Sequence, residues 1–213
     1  MRPILPIAAA LFALIALTGA GQQAPQRMYQ AFSDTQKADL DRISTYLNTI
    51  HSLRSSFLQI SPEGQVVQGT VTIRKPGQIR FEYRPPSPIL IVATGGAVYV
   101  KNAKLNTVDS YDLSDTPLGL LLEGKTDLVH NKAVLGVEAR DGEIVVRART
   151  TTNRNNSNIT MVFAAPAIEL RQWTVKDDQG GMTTVALQNP QINPAIAPGA
   201  FVVPVKVSRP SGP

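Results

Sequence analysis

Gly69-Thr-Val-Thr-Ile-Arg-Lys-Pro-Gly-Gln-Ile-Arg-Phe-Glu-Tyr83 contains two alternating runs joined by a Pro-Gly pair. Val71 and Ile73 point one way, Thr70, Thr72 and Arg74 the other. Beyond the turn, Ile79, Phe81 and Tyr83 share a face opposite Arg80 and Glu82. Such period-two alternation marks strands with one apolar and one wet side. Pro76 presets φ and Gly77 tolerates a positive φ, as a tight reversal requires. The stretch predicts an antiparallel hairpin whose bulky apolar face needs a cover.

The flanking sequence supplies candidates for both sheet and cover. Ser33 precedes Gln36 at capping-box spacing, and Leu40, Ile43, Leu47 and Ile50 recur at helical intervals, predicting an amphipathic helix over 34–53. Phe57–Ile60 reads as a strand. Arg84-Pro-Pro-Ser-Pro88 is a stiff break, followed by a second hairpin, Ile89–Ala93 and Ala97–Lys101, around Thr94-Gly-Gly96. Asn102–Asp112 reads as another short strand, with Thr107-Val-Asp-Ser-Tyr111. Thr116-Pro-Leu-Gly-Leu-Leu-Leu-Glu-Gly124 has proline at its start and glycine at its stop, so a short helix, apolar nearly all round, is expected. Too short to stand alone, it must be buried against something. Strand runs then resume at Val134–Ala139, Ile144–Arg149, Ile159–Phe163, Ile168–Lys176 and Met182–Leu187, with Ala200–Val207 as a last edge strand. The sum is about ten antiparallel strands in one strongly curved sheet, with helices against its concave face.

The 213 residues suffice for one generous domain, and 43% hydrophobic with 17% charged residues is ordinary globular composition. Cysteine is absent, which removes disulfides, thiolate ligands and a cysteine nucleophile. The net charge of +5 is spread out, without the clustered basic and aromatic residues of a nucleic-acid surface. Arg2, the apolar run Ile4–Leu17 and the small residues Thr18-Gly-Ala20 have the pattern of a secretory signal peptide over 1–20. A Gln- and Pro-rich flexible arm over 21–32, a folded domain over 33–207 and a tail over 208–213 complete the expected layout.

Chemistry is sparse. Neither His51 nor His130 has a ligand-type residue at metal-site spacing. No Gly-x-Ser-x-Gly elbow and no phosphate-cradling glycine loop occurs. Asp112/Asp115 and Asp177/Asp178 sit among turn residues, where they suit backbone N–H groups. The expectation is a protein that is not an enzyme and needs no cofactor or metal. What the chain offers is greasy surface. Periodicity alone favours an ordinary core; a concave sheet plugged by short helices could instead hold lipid, at about 0.8 kcal/mol per buried CH₂.

Four pieces, in order, resemble the periplasmic outer-membrane lipoprotein carrier family, LolA. They are Gly69-x-x-x-Ile73-x-Lys75-Pro76-x-x-x-Arg80-Phe-Glu-Tyr83-x-x-Pro86, Gly95-Gly-Ala-Val-Tyr99, Thr116-Pro-Leu-Gly-Leu-Leu-Leu122 and Asp178-x-x-Gly181-x-x-Thr184-Val185. The resemblance runs from about residue 37 to Phe201. It implies an α+β, mainly β fold: an unclosed antiparallel β-barrel of about eleven strands with helices covering a hydrophobic concave face. It further implies a periplasmic monomer that accepts acylated lipoproteins from an inner-membrane ABC-type releasing complex and passes them to an outer-membrane lipoprotein receptor. By position, Val71, Ile73, Ile79, Phe81, Tyr83, Ile91 and Tyr99 would line the lipid cavity, and Leu118, Leu121 and Leu122 would belong to the lid helix. The well-studied enterobacterial type has arginine before the hairpin proline, tying sheet to lid. Here Lys75 stands there, keeping the charge but losing the planar fork, so a looser or different lid latch is expected. Rival readings are a carrier of another lipid, a lipid-binding sensor domain and an esterase.

Overall fold

The structure, a computed structural model, describes residues 31–150 and 157–203. All of its elements fall in one compact unit, Phe32–Pro213. The expected signal peptide and C-terminal tail lie outside the described residues, as does nearly all of the expected arm. Phe32, assigned to that arm, instead packs against the core.

Helix α1 spans Asp34–Thr49. The Ser33 hydroxyl accepts the Gln36 N–H (3.2 Å) and Gln36 Oε1 accepts the Ser33 N–H (3.0 Å), a complete capping box. The helix ends four residues earlier than the periodicity predicts. Ile50 is extended (φ −89°, ψ 105°) and Leu53 belongs to a strand. There the apolar period changes from helical to two, with Leu53, Ser55 and Phe57 buried in alternation.

Eleven strands follow: β1 (Ser52–Ile60), β2 (Val66–Arg74), β3 (Gln78–Tyr83), β4 (Ile89–Thr94), β5 (Ala97–Asn102), β6 (Thr107–Asp112), β7 (Val134–Arg140), β8 (Glu143–Arg149), β9 (Asn158–Ala164), β10 (Glu169–Lys176) and β11 (Met182–Ile192). They form one antiparallel sheet in the order β6-β5-β4-β3-β2-β1-β11-β10-β9-β8-β7, so β6 and β7 are its free edges and the sheet does not close. A 3₁₀ turn (Leu113–Asp115) and the four-residue helix α2 (Gly119–Leu122) lie in the connection between those two edges. The expected last strand is not found: Ala200 and Phe201 lie in a turn, and 204–207 fall outside the described residues. Strand β11 instead runs on past Leu187, until Ile192 pairs with Leu53 of β1.

Cross-strand partners share a face of a sheet, so the register sorts the core. Ile73 pairs with Ile79, Ile79 with Ala93 and Ala93 with Val98; Val71 pairs with Phe81 and Phe81 with Ile91. In the other half Val185 pairs with Trp173, Trp173 with Met161 and Met161 with Val146. These residues form one buried cluster with Leu40, Ile43 and Leu47 of α1 and with Leu120–Leu122 of α2; only Ile91 is partly buried. Both helices therefore cover the same, inner face. Gly77 has φ +73°, as the β2–β3 reversal demands. Asp177 Oδ1 accepts the Gln179 and Gly181 N–H groups, the expected turn role.

Candidate functional site: the covered inner face

Phe57 is the centre of the inner face in the β1–β3 region. Its ring makes edge contacts with Phe81 (centroids 5.4 Å apart) and Tyr83 (5.3 Å), and Phe81 in turn meets Trp173 at 6.4 Å. Gly69 lies opposite Phe57 in the ladder, and a Cβ there would collide with the ring and with the Glu82 carbonyl. The glycine is the space the aromatic ring occupies.

Of the residues expected in the cavity, Val71, Ile73, Ile79 and Phe81 are at most 5% exposed beneath the helices. Tyr83 and Ile91 are half-buried on the same face. The Tyr83 hydroxyl donates to Gln59 Oε1 (2.8 Å), and burial pushes its pKa up to about 12. Tyr99 is a correction. It pairs with Val92, Val92 with Arg80 and Arg80 with Thr72, which puts it on the outward face; the inner-face neighbours on β5 are Val98 and Val100. The pleat forces this, because Val98 already points inward.

The cover has two unlike parts. Helix α1 is fastened by side chains. Gln36 Nε2 donates to the Val137 carbonyl on edge strand β7 (3.1 Å), and Arg42 Nη2 to the Pro166 carbonyl (2.7 Å). The Tyr46 hydroxyl accepts the N–H of Leu170 (3.2 Å), beside a register shift in β10. Asn48 holds Thr126 by both its carbonyl and its N–H (2.9 and 2.8 Å), and the Ser44 hydroxyl accepts the Leu128 N–H (3.0 Å). Residues 117–122, by contrast, have no side chain that can hydrogen-bond. Leu120, Leu121 and Leu122 are buried and Leu118 is half-buried, so α2 is seated almost wholly by apolar contact.

The tip of the β2–β3 hairpin reaches both parts. The Gly77 N–H donates to the Leu122 carbonyl (2.9 Å), and Pro76 lies against Gly124. Lys75 Nζ donates to the Leu47 carbonyl at the end of α1 (2.9 Å), a position where the helix dipole favours a cation. Burial holds the Lys75 pKa below the ordinary lysine value, partly offset by the Glu123 carboxylate. Glu123, just past α2, is itself pushed above the usual carboxylate range by burial, with Lys75 and Asn131 opposing.

Sequence reasoning missed Phe57, Trp173, Leu120 and Leu128 as parts of this site. Phe57 could have been found from Gly69, since a glycine amid β-branched residues in a strand signals a close approach. Trp173 is the chain's one tryptophan and is 1% exposed.

Residues 48–204, more than half of the chain, match the family described as Outer membrane lipoprotein carrier protein LolA. The chain belongs to the LolA family. An outer-membrane lipoprotein carrier protein of Cupriavidus necator is 27% identical over 190 residues, 82% of this chain and 87% of its own. One from Neisseria gonorrhoeae is 26% identical over 179 residues, 80% and 85% of the two chains. Among solved structures, a LolA superfamily protein from Nitrosomonas europaea overlays with TM-score 0.44 at 7% identity, covering 79% of this chain and 98% of that one. Among the described residues no helix is long and apolar enough to cross a membrane.

Proposed function

We propose that this LolA-family chain is a periplasmic carrier whose inner face holds the acyl chains of lipoproteins. The observation that carries the reading is the cover: an apolar face spanning most of the sheet is sealed on one side by a fixed helix and on the other by a four-residue leucine helix held almost wholly by apolar contact. Acyl chains offer the inner face the same kind of contact that Leu120–Leu122 make, so cargo can replace the lid at small net cost. The closed arrangement is then the empty state, and lid opening is the loading step. Lys75, with Gly77 beside it, acts as the latch at the hairpin tip.

In this reading residues 1–20 direct export and are removed, 21–31 form an arm, 32–207 are the carrier domain and 208–213 a tail. Cargo arrives from an inner-membrane ABC-type complex, which supplies the energy of loading, and leaves to an outer-membrane lipoprotein receptor. The carrier performs no catalysis.

Phe81→Asp places a carboxylate in the inner face and abolishes co-purification of acylated lipoproteins from the host envelope, while export is unchanged. Undiminished lipoprotein on that variant refutes the assignment. Lys75→Arg tests the latch: a slower release of bound lipid than in the parent is expected, and equal rates exclude Lys75 from that role.

A further inference from the structure

The sheet is open between β6 and β7, and residues 113–133, the strap, cross from one edge to the other. Along this crossing lies a cavity of about 360 Å³, distinct from the sealed inner face. Its apolar wall comes from Leu113, Pro117 and Leu120, of which Leu113 and Leu120 also belong to the inner-face cluster or pack on it. Its polar wall comes from Glu123 at the end of the lid, Asn131 in the strap and Arg149 at the end of β8. An apolar wall that shares Leu120 with the core, in a cavity also lined by an acidic and a basic residue from separate elements, suits an amphiphile carrying one charge of each sign.

We infer that this seam cavity binds the polar end of a zwitterionic amphiphile of the phosphoethanolamine or phosphocholine type. Its ammonium lies toward Glu123, its phosphate toward Arg149, and its chain runs along Leu120 to the inner face. The inference rests on the carrier reading for the path of the chain to the inner face, and adds to it a site beside the lid for a membrane lipid, distinct from the lipoprotein cargo, which carries no phosphate headgroup.

Two further features support it. Glu123 is half-buried with its charge incompletely compensated, since burial outweighs Lys75 and Asn131 in setting its pKa; a cation brought beside it relieves that cost. Lys75 spends its ammonium on the Leu47 carbonyl and does not line the cavity. Arg149 has another interaction of its own, so it contributes the positive potential of its wall rather than a vacant fork.

The test titrates the full mature chain with decylphosphocholine, decyl phosphate and decyltrimethylammonium, each below its micelle concentration, by calorimetry. The zwitterion is expected to bind about tenfold tighter than decyl phosphate. Glu123→Gln, isosteric and shown folded by circular dichroism, removes that preference, while decyl phosphate binding is not weakened. Phe81→Asp weakens all three probes yet keeps the ratio between zwitterion and phosphate. Equal affinity for the three probes, or a preference that Glu123→Gln leaves intact, overturns the headgroup site. If the preference holds but the parent carries no lipoprotein, the carrier reading fails and the headgroup site stands; the converse pattern removes only the headgroup site.

Discussion

Gly69 shows how much one missing methyl group can decide. Its hydrogen is what lets the Phe57 ring approach β2, and a Cβ would meet both that ring and the Glu82 backbone. Gly69→Ala is expected to cost about 1–3 kcal/mol of stability through overpacking, seen as a lower urea midpoint with an unchanged slope. No loss would mean that the ring moves aside freely. Glu123 makes a prediction of the opposite sign. Its folded pKa is raised above the ordinary 4.5, so its contribution to stability is fully present below that value and is lost as pH rises through the folded pKa. Glu123→Gln should therefore melt higher than the parent at neutral pH, and the advantage should vanish below about pH 4.5. The side chain is only half-buried, so solvent screens the effect and the gain is small.

The two helices bury leucines equally well, yet they are not equally fixed. Leu47 of α1 is 1% exposed and Leu121 of α2 is 2% exposed. Helix α1 is tied to β7, to the β9–β10 turn, to β10 and to the strap by side-chain hydrogen bonds, whereas α2 is closed by a backbone bond from Gly77 and by packing. Low local stability collects where polar ties are few. Leu47→Ala is expected to cost about 2–5 kcal/mol of global stability. Leu121→Ala is expected to shift the unfolding midpoint less, and instead to raise acrylamide quenching of Trp173, the one tryptophan beneath the cover. Equal midpoint shifts with unchanged quenching would mean that α2 is as rigid as α1. Asn48→Ala should extend the loosening into the strap, because it leaves the Thr126 N–H and carbonyl without their partner, at about 1–3 kcal/mol.

At the scale of the molecule, the sheet is open and one chain segment joins its two edges; on the carrier reading proposed above, that segment moves. A Cβ built on Gly124 lies 3.5 Å from the Pro76 Cβ, within the range that a disulfide spans, and the chain contains no cysteine to compete. Pro76→Cys combined with Gly124→Cys should lock the lid shut under oxidation. Lipid uptake should then be lost and return on reduction, while the fold and Trp173 fluorescence stay constant. Uptake that persists in the oxidised form would show that cargo enters without displacing the lid.

The strands were legible in the sequence because period two reports a face directly, and the Pro76-Gly77 and Gly95-Gly96 turns mark where the chain reverses. The capping box at Ser33–Gln36 and the leucine helix from Gly119 to Leu122 were legible for the same local reasons. The end of α1 was not, since Ile50 and Leu53 fit both periods until pairing of Leu53 with Ile73 and Ile192 selects the strand. The wrong side given to Tyr99 and the missed centrality of Phe57 and Trp173 have a common cause. Alternation says that two faces exist, but which face is covered depends on register between strands far apart in the chain. The hairpin from Gly69 to Tyr83 was determined by its own residues. That its Ile79-Phe81-Tyr83 face lies under one helix tied by side chains and a second held mainly by packing was decided only when β1 and β11 joined the two halves of the sheet around it.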